Sequence, residues 1–234
     1  RATHVITPNK TYAVDAVIGN ADYHHIETAL LDSSAQSYPE SYWKKRTLAP
    51  SAFMLYLGYD RKIPGLEHHT LLFDHDWTDH FNSIFEHPDW PEHPSLYVAC
   101  TSKTDPTVAP PGGETMVVLV PVASGLDDND TVRLDYRTTI IDHLSTTLKT
   151  SLAHPVVERI VSQRDFKNLF NAYQGTALGL SHTLWQTASF RPHYRSKKVD
   201  NLFYSGQYTH PGIGMPMCLI AGELAAEAII KRYG

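Results

Sequence analysis

The chain has 234 residues, 42% of them hydrophobic, enough to bury a sizeable core in one large domain or two interleaved ones. Twenty Lys and Arg against 25 Asp and Glu give a formal charge of -5, so no basic surface dominates and nucleic acid is excluded as the expected partner. Cys100 and Cys218 stand far apart, which excludes a disulfide framework and a thiolate zinc site and favours a reducing, cytoplasmic setting, and no run of about 18 apolar residues could span a bilayer. The polar opening Arg1-Ala2-Thr3-His4 is not a signal peptide, and it leads without a Met into strand-like text, as a piece of a longer protein would.

In chain order, His4–Thr7 and Tyr12–Ile18 flank a Pro8-Asn9-Lys10 turn and predict a hairpin followed by a buried strand. Asp22 is placed to cap a helix from Tyr23 to about Leu31, and a polar loop is expected from there to Pro50. The runs Ser51–Tyr59, Leu96–Cys100 and Met116–Val120 are too short for buried helices and predict three strands of one sheet. Asp105 to Gly113, rich in Pro and Gly, predicts an ordered turn between the last two. From Val132 to Ala153, apolar Leu134, Ile140, Ile141, Leu144, Leu148 and Leu152 recur at helical spacing, and Pro155 should end that helix. Strands follow at Val156–Val161 and Asn201–Gly206. The last helix begins near Pro216, places Glu223, Glu227 and Lys231 on one narrow polar stripe, and is expected to be buried on its other sides.

A small-residue turn, Pro211-Gly212-Ile213-Gly214, feeds that helix. Its amino terminus offers free backbone N–H groups and the positive end of the helix dipole, which together stabilise an anion or a developing negative charge. The text from Asn201 through Gly206-Gln207-Tyr208-Thr209-His210-Pro211-Gly212-Ile213-Gly214-Met215-Pro216 closely resembles the carboxy-terminal flavin-binding signature of the phytoene desaturase family, with a Thr-His-Pro-Gly-x-Gly-x-Pro core. Asn171–Gly175, Gly179-Leu180, Gln186–Pro192, Thr104–Gly112 and Ile18–Asp22 are similar to other phrases of that family, so the resemblance runs through nearly the whole chain.

The resemblance implies an FAD enzyme that desaturates a long isoprenoid polyene of the phytoene or dehydrosqualene type, the helix start lying beside the pyrimidine edge of the flavin ring. It makes Gly206, Gln207, Thr209, His210, Gly212, Ile213, Gly214 and Met215 the candidate flavin contacts. Gln207 stands where many related flavin amine oxidases carry Glu; its amide can still hydrogen-bond to ribityl or phosphate oxygens. No strand followed by Gly-x-Gly-x-x-Gly occurs, so the chain is expected to lack most contacts to adenosine and pyrophosphate, to bind flavin weakly or not at all, and to be inactive alone. The expected architecture is α+β. Residues 1–22 and 166–234 are segments of an incomplete Rossmann-like flavin domain, and residues 23–165 form a substrate domain on a mixed sheet with flanking helices. Same-fold isomerases, saturases or oxygenases of polyenes, and a non-catalytic module for apolar ligands, share these features.

Phe53, Tyr56 and Trp185 could line an apolar tunnel for the polyene, with His182 and Gln186 as polar points facing the reacting chain. No residue is identified as the catalytic proton acceptor. Histidines crowd the stretch from Glu67 to Pro94, but without an HExxH or other regular ligand spacing the segment reads as an exposed polar loop, and no metal is assigned. Arg191 to Lys198 concentrates positive charge that could meet phosphate or an anionic membrane surface, or simply be a solvated loop. No Gly-x-Ser-x-Gly elbow supports hydrolase chemistry.

Overall fold

The computed structural model describes residues 1–234 and divides into two compact units. The first comprises residues 1–49, 167–173 and 178–234; the second comprises residues 50–166 and 174–177. Residues 23–49, grouped with the sheet on sequence grounds, thus pack with the chain termini.

In the first unit, β1 (His4–Ile6) and β2 (Thr11–Ala13) form the expected hairpin. The strand β3 (Val17–Gly19) pairs in parallel with β9 (Leu202–Tyr204), so the start and the end of the chain share one ladder. Asn201, fully buried, fastens that junction: its carboxamide oxygen accepts from the Ala2 N–H at 2.8 Å, and its nitrogen donates to the carbonyls of Ala2 and Asp15, each at 2.7 Å. Asp22 caps α1 (Tyr23–His25) by accepting from the His25 N–H at 3.0 Å, and the helix widens into a π-helical turn through Leu30. The segment read as a polar loop instead contains a 3-10 turn, Ser33–Ala35, and α2 (Glu40–Trp43). These are held by aromatic burial: Trp43 is fully enclosed and packs with Tyr23, Tyr38, Tyr42 and Tyr208. Glu27, also fully buried, accepts from the Tyr38 N–H and the Tyr204 hydroxyl, which satisfies a carboxylate far from water.

The second unit is built on five strands in the order β5 (His69–Leu72), β6 (Leu96–Ala99), β7 (Glu114–Val122), β4 (Ser51–Tyr59) and β8 (Val157–Val161). Every pair is antiparallel, so the sheet expected to be mixed is not; local sequence marks strands but carries no signal for their relative direction. The α+β class itself holds. Alternation along β4 and β7 sends Phe53, Leu55, Leu57 and Tyr59, with Met116, Val118, Val120 and Val122, to one face, where they form the core with Tyr136, Ile140, Ile141 and Leu144 of α4 (Asp130–Leu148).

Two features of α4 differ from expectation. Leu134 is exposed, because Arg133 and Tyr136 occupy the inward positions, and the helix ends before Pro155. Its terminator is Lys149 in the left-handed conformation (φ 51°), after which the Thr150 N–H closes back on the Ser145 carbonyl at 3.1 Å. The histidine-rich stretch is likewise not a loop throughout: it contains β5 and α3 (Trp77–Phe85), the latter capped by Asp76, which accepts from the Thr78 N–H at 2.9 Å. Trp77, Phe81 and Phe85 recur every fourth residue along α3 and remain exposed. The chain passes from the second unit to the first through α5 (Gln163–Phe170), and the first unit closes with α6 (Met215–Tyr233). Only Ala221 and Ala225 of α6 are buried; Met215, Leu219, Ile220 and Ile230 are exposed, so the helix is not enclosed on its apolar sides as expected.

Candidate functional site

The turn between β9 and α6 is shaped by three glycines at positive φ: Gly206 (110°), Gly212 (128°) and Gly214 (117°). The Ser205 N–H donates to the Gly19 carbonyl at 3.0 Å and prolongs the β3–β9 pairing to the edge of the turn. Thr209, fully buried, then closes the bend, its N–H and its hydroxyl both donating to the Gly206 carbonyl at 3.2 and 3.0 Å. The His210–Pro211 bond is cis, and His210 itself is exposed. Gly214 is the N-cap of α6 and no side chain caps it; the Cys218 N–H donates to the Gly214 carbonyl at 2.9 Å. Pro216 contributes no N–H, so the remaining first-turn amides have no intrahelical acceptor and the dipole end is uncapped.

Two of the glycines leave room for a group that approaches the backbone. A Cβ on Gly206 would meet nothing closer than Asn20 Oδ1 at 4.0 Å, and one on Gly214 only Met217 Cγ at 3.8 Å. Gly212 serves another purpose, because a Cβ there would lie 2.5 Å from the His182 ring. His182 packs on that glycine and accepts from the Ile213 N–H through Nε2 at 3.3 Å. Its Nδ1 therefore carries the proton and donates to the Thr187 hydroxyl at 3.2 Å. Desolvation, and then the positive charge of Arg191, push its pKa below the ordinary histidine value, which favours this neutral tautomer.

Arg191 braces the turn from within. It is 3% exposed and no carboxylate faces it; Nε donates to the Thr209 carbonyl (3.2 Å), Nη1 to Gln186 (3.0 Å), and Nη2 to Leu180 (3.3 Å) and Gln207 (2.5 Å). Burial lowers its pKa, but a guanidinium remains charged far above neutrality, so a fixed cation sits behind the turn. Arg191 thus stands apart from the rest of residues 191–198, where Arg195, Lys197 and Lys198 are exposed. Arg195 pairs with Asp200 at 3.3 Å, and the Lys197 ammonium lies 4.6 Å from the centre of the Tyr38 ring. Asp22 supports the other side, accepting from the buried Tyr208 hydroxyl at 2.7 Å and the Tyr173 N–H at 3.2 Å in addition to its capping bond.

The sequence-predicted lining residues fare differently. Phe53 is fully buried and meets Trp90 and Tyr136 edge-on in the second unit's core, so it cannot touch a ligand. Tyr56, three residues on, points to the opposite face of β4 and is exposed beside a cavity of about 430 Å³ with Val117, Pro110 and Val157. Gln186 is buried, and its amide is consumed by the Thr47 N–H (2.9 Å) and the carbonyls of Thr47 and Ser181 (2.8 and 3.2 Å); it holds backbone rather than facing a substrate. Trp185 is 69% exposed and meets Phe190 edge-on at 5.4 Å. Of the flavin candidates, Gly206, Gln207, Thr209, His210, Gly212, Ile213, Gly214 and Met215 form one continuous turn, with Met215 fully presented to solvent. Sequence reasoning missed Arg191 and Asp22 as supports of that turn; the isolated Arg before Pro192 was the available signal.

The donor set is thus a row of backbone N–H groups, an uncapped helix start and a buried cation, an arrangement that fits an electron-rich, uncharged or anionic ring edge better than a metal ion. The family model for flavin-containing amine oxidoreductases matches residues 2–230. The chain belongs to that family. A flavin is accordingly its cofactor class. It is 46% identical over 218 residues to a carotenoid 3,4-desaturase of Haloarcula japonica, an alignment that covers 93% of this chain and 44% of that protein. It is 34% identical over 225 residues to a 4,4'-diapophytoene desaturase of Methylomonas sp., covering 94% of this chain and 44% of the relative. The chain therefore spans less than half the length of these curated relatives. An oxidoreductase structure from Methanosarcina mazei superposes with a TM-score of 0.55 at 13% identity, covering 97% of this chain and 46% of the other, and supports the fold.

Proposed function

We propose that this chain is the carboxy-terminal part of an FAD-dependent carotenoid desaturase, an oxidoreductase that introduces a conjugated double bond into a long polyene. The observation that carries the reading is the Gly206–Met215 turn, in which open glycines lead into an uncapped helix and a buried Arg191 supplies fixed positive charge. The names of the desaturase relatives, one of them 46% identical, support the substrate class.

On this reading the first unit contributes to the flavin domain and the second to substrate binding. A bound FAD would supply the acceptor for the hydride removed from one of two adjacent saturated carbons, while the proton from the other would pass to a base that none of the residues named here is assigned to be. If a flavin is held at this turn, the first-turn amides of α6 and the charge of Arg191 would stabilise negative charge on it, while neutral His182 fixes the Ile213 N–H through a single acceptor. Trp185 and Phe190 offer apolar surface that excludes water near the turn, and Tyr56 offers the same on the open face of the sheet. No Gly-x-Gly-x-x-Gly is present in the sequence, so contacts to the adenosine and pyrophosphate fall to residues of the full-length protein outside this chain. No helix is long and apolar enough to cross a membrane.

The test is product analysis. Full-length protein supplied with phytoene, dehydrosqualene or a carotenoid saturated at its 3,4 bond should retain FAD and yield a product absorbing at longer wavelength. Bound FAD with no new conjugated absorption from any of the three would refute desaturation.

A further inference from the structure

The second unit brings together ligating groups that lie far apart in the chain. Asp74 and His75 follow β5 directly, and His143 projects from the middle of α4. One ligand atom from each lies within 4.8 Å of the other two, and the closest approach is between Asp74 Oδ2 and His143 Nε2 at 2.7 Å, across 69 residues of sequence. A third histidine, His93, stacks on His75 with ring centres 4.5 Å apart, and His75 in turn lies 5.6 Å from the His143 ring. The Thr147 hydroxyl, one helical turn beyond His143, donates to the same Asp74 oxygen at 3.4 Å. A cleft of about 460 Å³, lined among others by His75, Asp79, Glu92 and His93, adjoins the cluster.

We infer that Asp74, His75 and His143 form a binding site for one divalent transition-metal ion, zinc being the ion their chemistry fits best, which clasps the β5–α3 segment to α4. Two imidazoles and one carboxylate are a borderline-soft donor set that favours zinc and its neighbours over magnesium or calcium, which take oxygen ligands. In a tetrahedral zinc site, bonds of about 2.0–2.2 Å put neighbouring ligand atoms about 3.3 Å apart. The Asp74–His143 pair is now joined by a hydrogen bond of 2.7 Å, whose proton the ion would displace. Replacing that proton with the ion opens the pair by about 0.6 Å and draws His75 inward, movements within the reach of side-chain rotation. Asp74 and His75 are exposed and His143 half-buried, so an ion enters without opening the fold, and the cleft has room for a water in the fourth position. His80, a few residues on, takes no part: it is buried, with Nε2 donating to the Pro121 carbonyl at 2.7 Å and Nδ1 accepting from the Ser95 N–H at 3.0 Å.

Zinc chloride titrated into metal-free protein at pH 7.5, with free zinc read by a competing chromophoric chelator, should show one site per chain with Kd below about 1 µM. At a hundredfold excess over Kd the melting temperature should rise by roughly 5–10 °C. His143→Gln can still donate a hydrogen bond to Asp74 and keeps α4 intact, yet should weaken binding about a hundredfold, as should His75→Ala. His87→Ala, remote in role from the cluster, should leave it unchanged. The inference is overturned if no saturable site tighter than about 1 µM is found, or if His143→Gln and His75→Ala, folded by circular dichroism, bind zinc as the parent does.

Discussion

Replacing Arg191 by Met isolates what the buried guanidinium does. Met keeps an unbranched stem of similar reach but removes every donor, so the carbonyls of Leu180, Gln186, Gln207 and Thr209 each lose a hydrogen bond from the guanidinium. A buried acceptor left unsatisfied costs about 1–3 kcal/mol, but part of that is offset because the cation's own desolvation penalty disappears and water can reach some of the carbonyls. The expected loss is about 2–4 kcal/mol, a large share of what a domain this size has to lose. Arg191→Lys retains the charge with three donors in the wrong geometry and should lose about half as much. Urea unfolding followed by tryptophan fluorescence measures this, since Trp43 is fully enclosed in the same unit. A Met variant whose stability lies within about 0.5 kcal/mol of the parent would refute the claim that Arg191 braces the turn.

Asp22→Ala removes the α1 cap together with the acceptor for the buried Tyr208 hydroxyl, and should lower stability by about 2–3 kcal/mol in a thermal melt, whereas Asp22→Asn keeps the cap and should lose about 1 kcal/mol. Gly212→Ala sets a Cβ against the His182 ring at a φ of 128°, so a loss of about 1–3 kcal/mol is expected, and adding His182→Ala should recover the steric part in a double-mutant cycle. Arg133→Met leaves Asp128 without its bidentate partner and Asp165 without its ion pair; a loss of about 3 kcal/mol should appear in urea unfolding. Burial depresses the His80 pKa below the unfolded value of about 6.5, so folding favours the neutral ring: its contribution is complete above pH 6.5 and declines as pH falls through the folded pKa. The urea midpoint should therefore drop between pH 7 and pH 5, and His80→Gln should be less stable at pH 7.5 but show a flatter decline.

The long strands and α4 were legible because their signal is local. β4 and β7 alternate with period two, and α4 repeats at helical spacing, so each element announces which residues share a face. The glycine turn that feeds α6 was legible for a related reason: it is contiguous, and its shape depends on backbone groups that sequence position alone can place. In residues 67–94 the polar text hides α3, whose Trp77, Phe81 and Phe85 repeat is helical but remains exposed. The apolar text of α6 implies burial, yet only its alanine face is covered.

What the sequence determined by itself, then, is the family, the α+β class and the turn from Gly206 to Met215, since each rests on contiguous residues or on periodicity. Tertiary structure alone decided the rest. Period two could say that Phe53 and Tyr56 face opposite ways, but only the docking of α4 chose Phe53 as the inward one. Only the folding of residues 180–209 around a guanidinium turned Arg191 from a surface charge into a brace. Only the crossing of α4 past the end of β5 brought Asp74 to His143. These outcomes depend on contacts between segments distant in sequence, whose free energy is set by which surfaces meet and not by the local preferences of either.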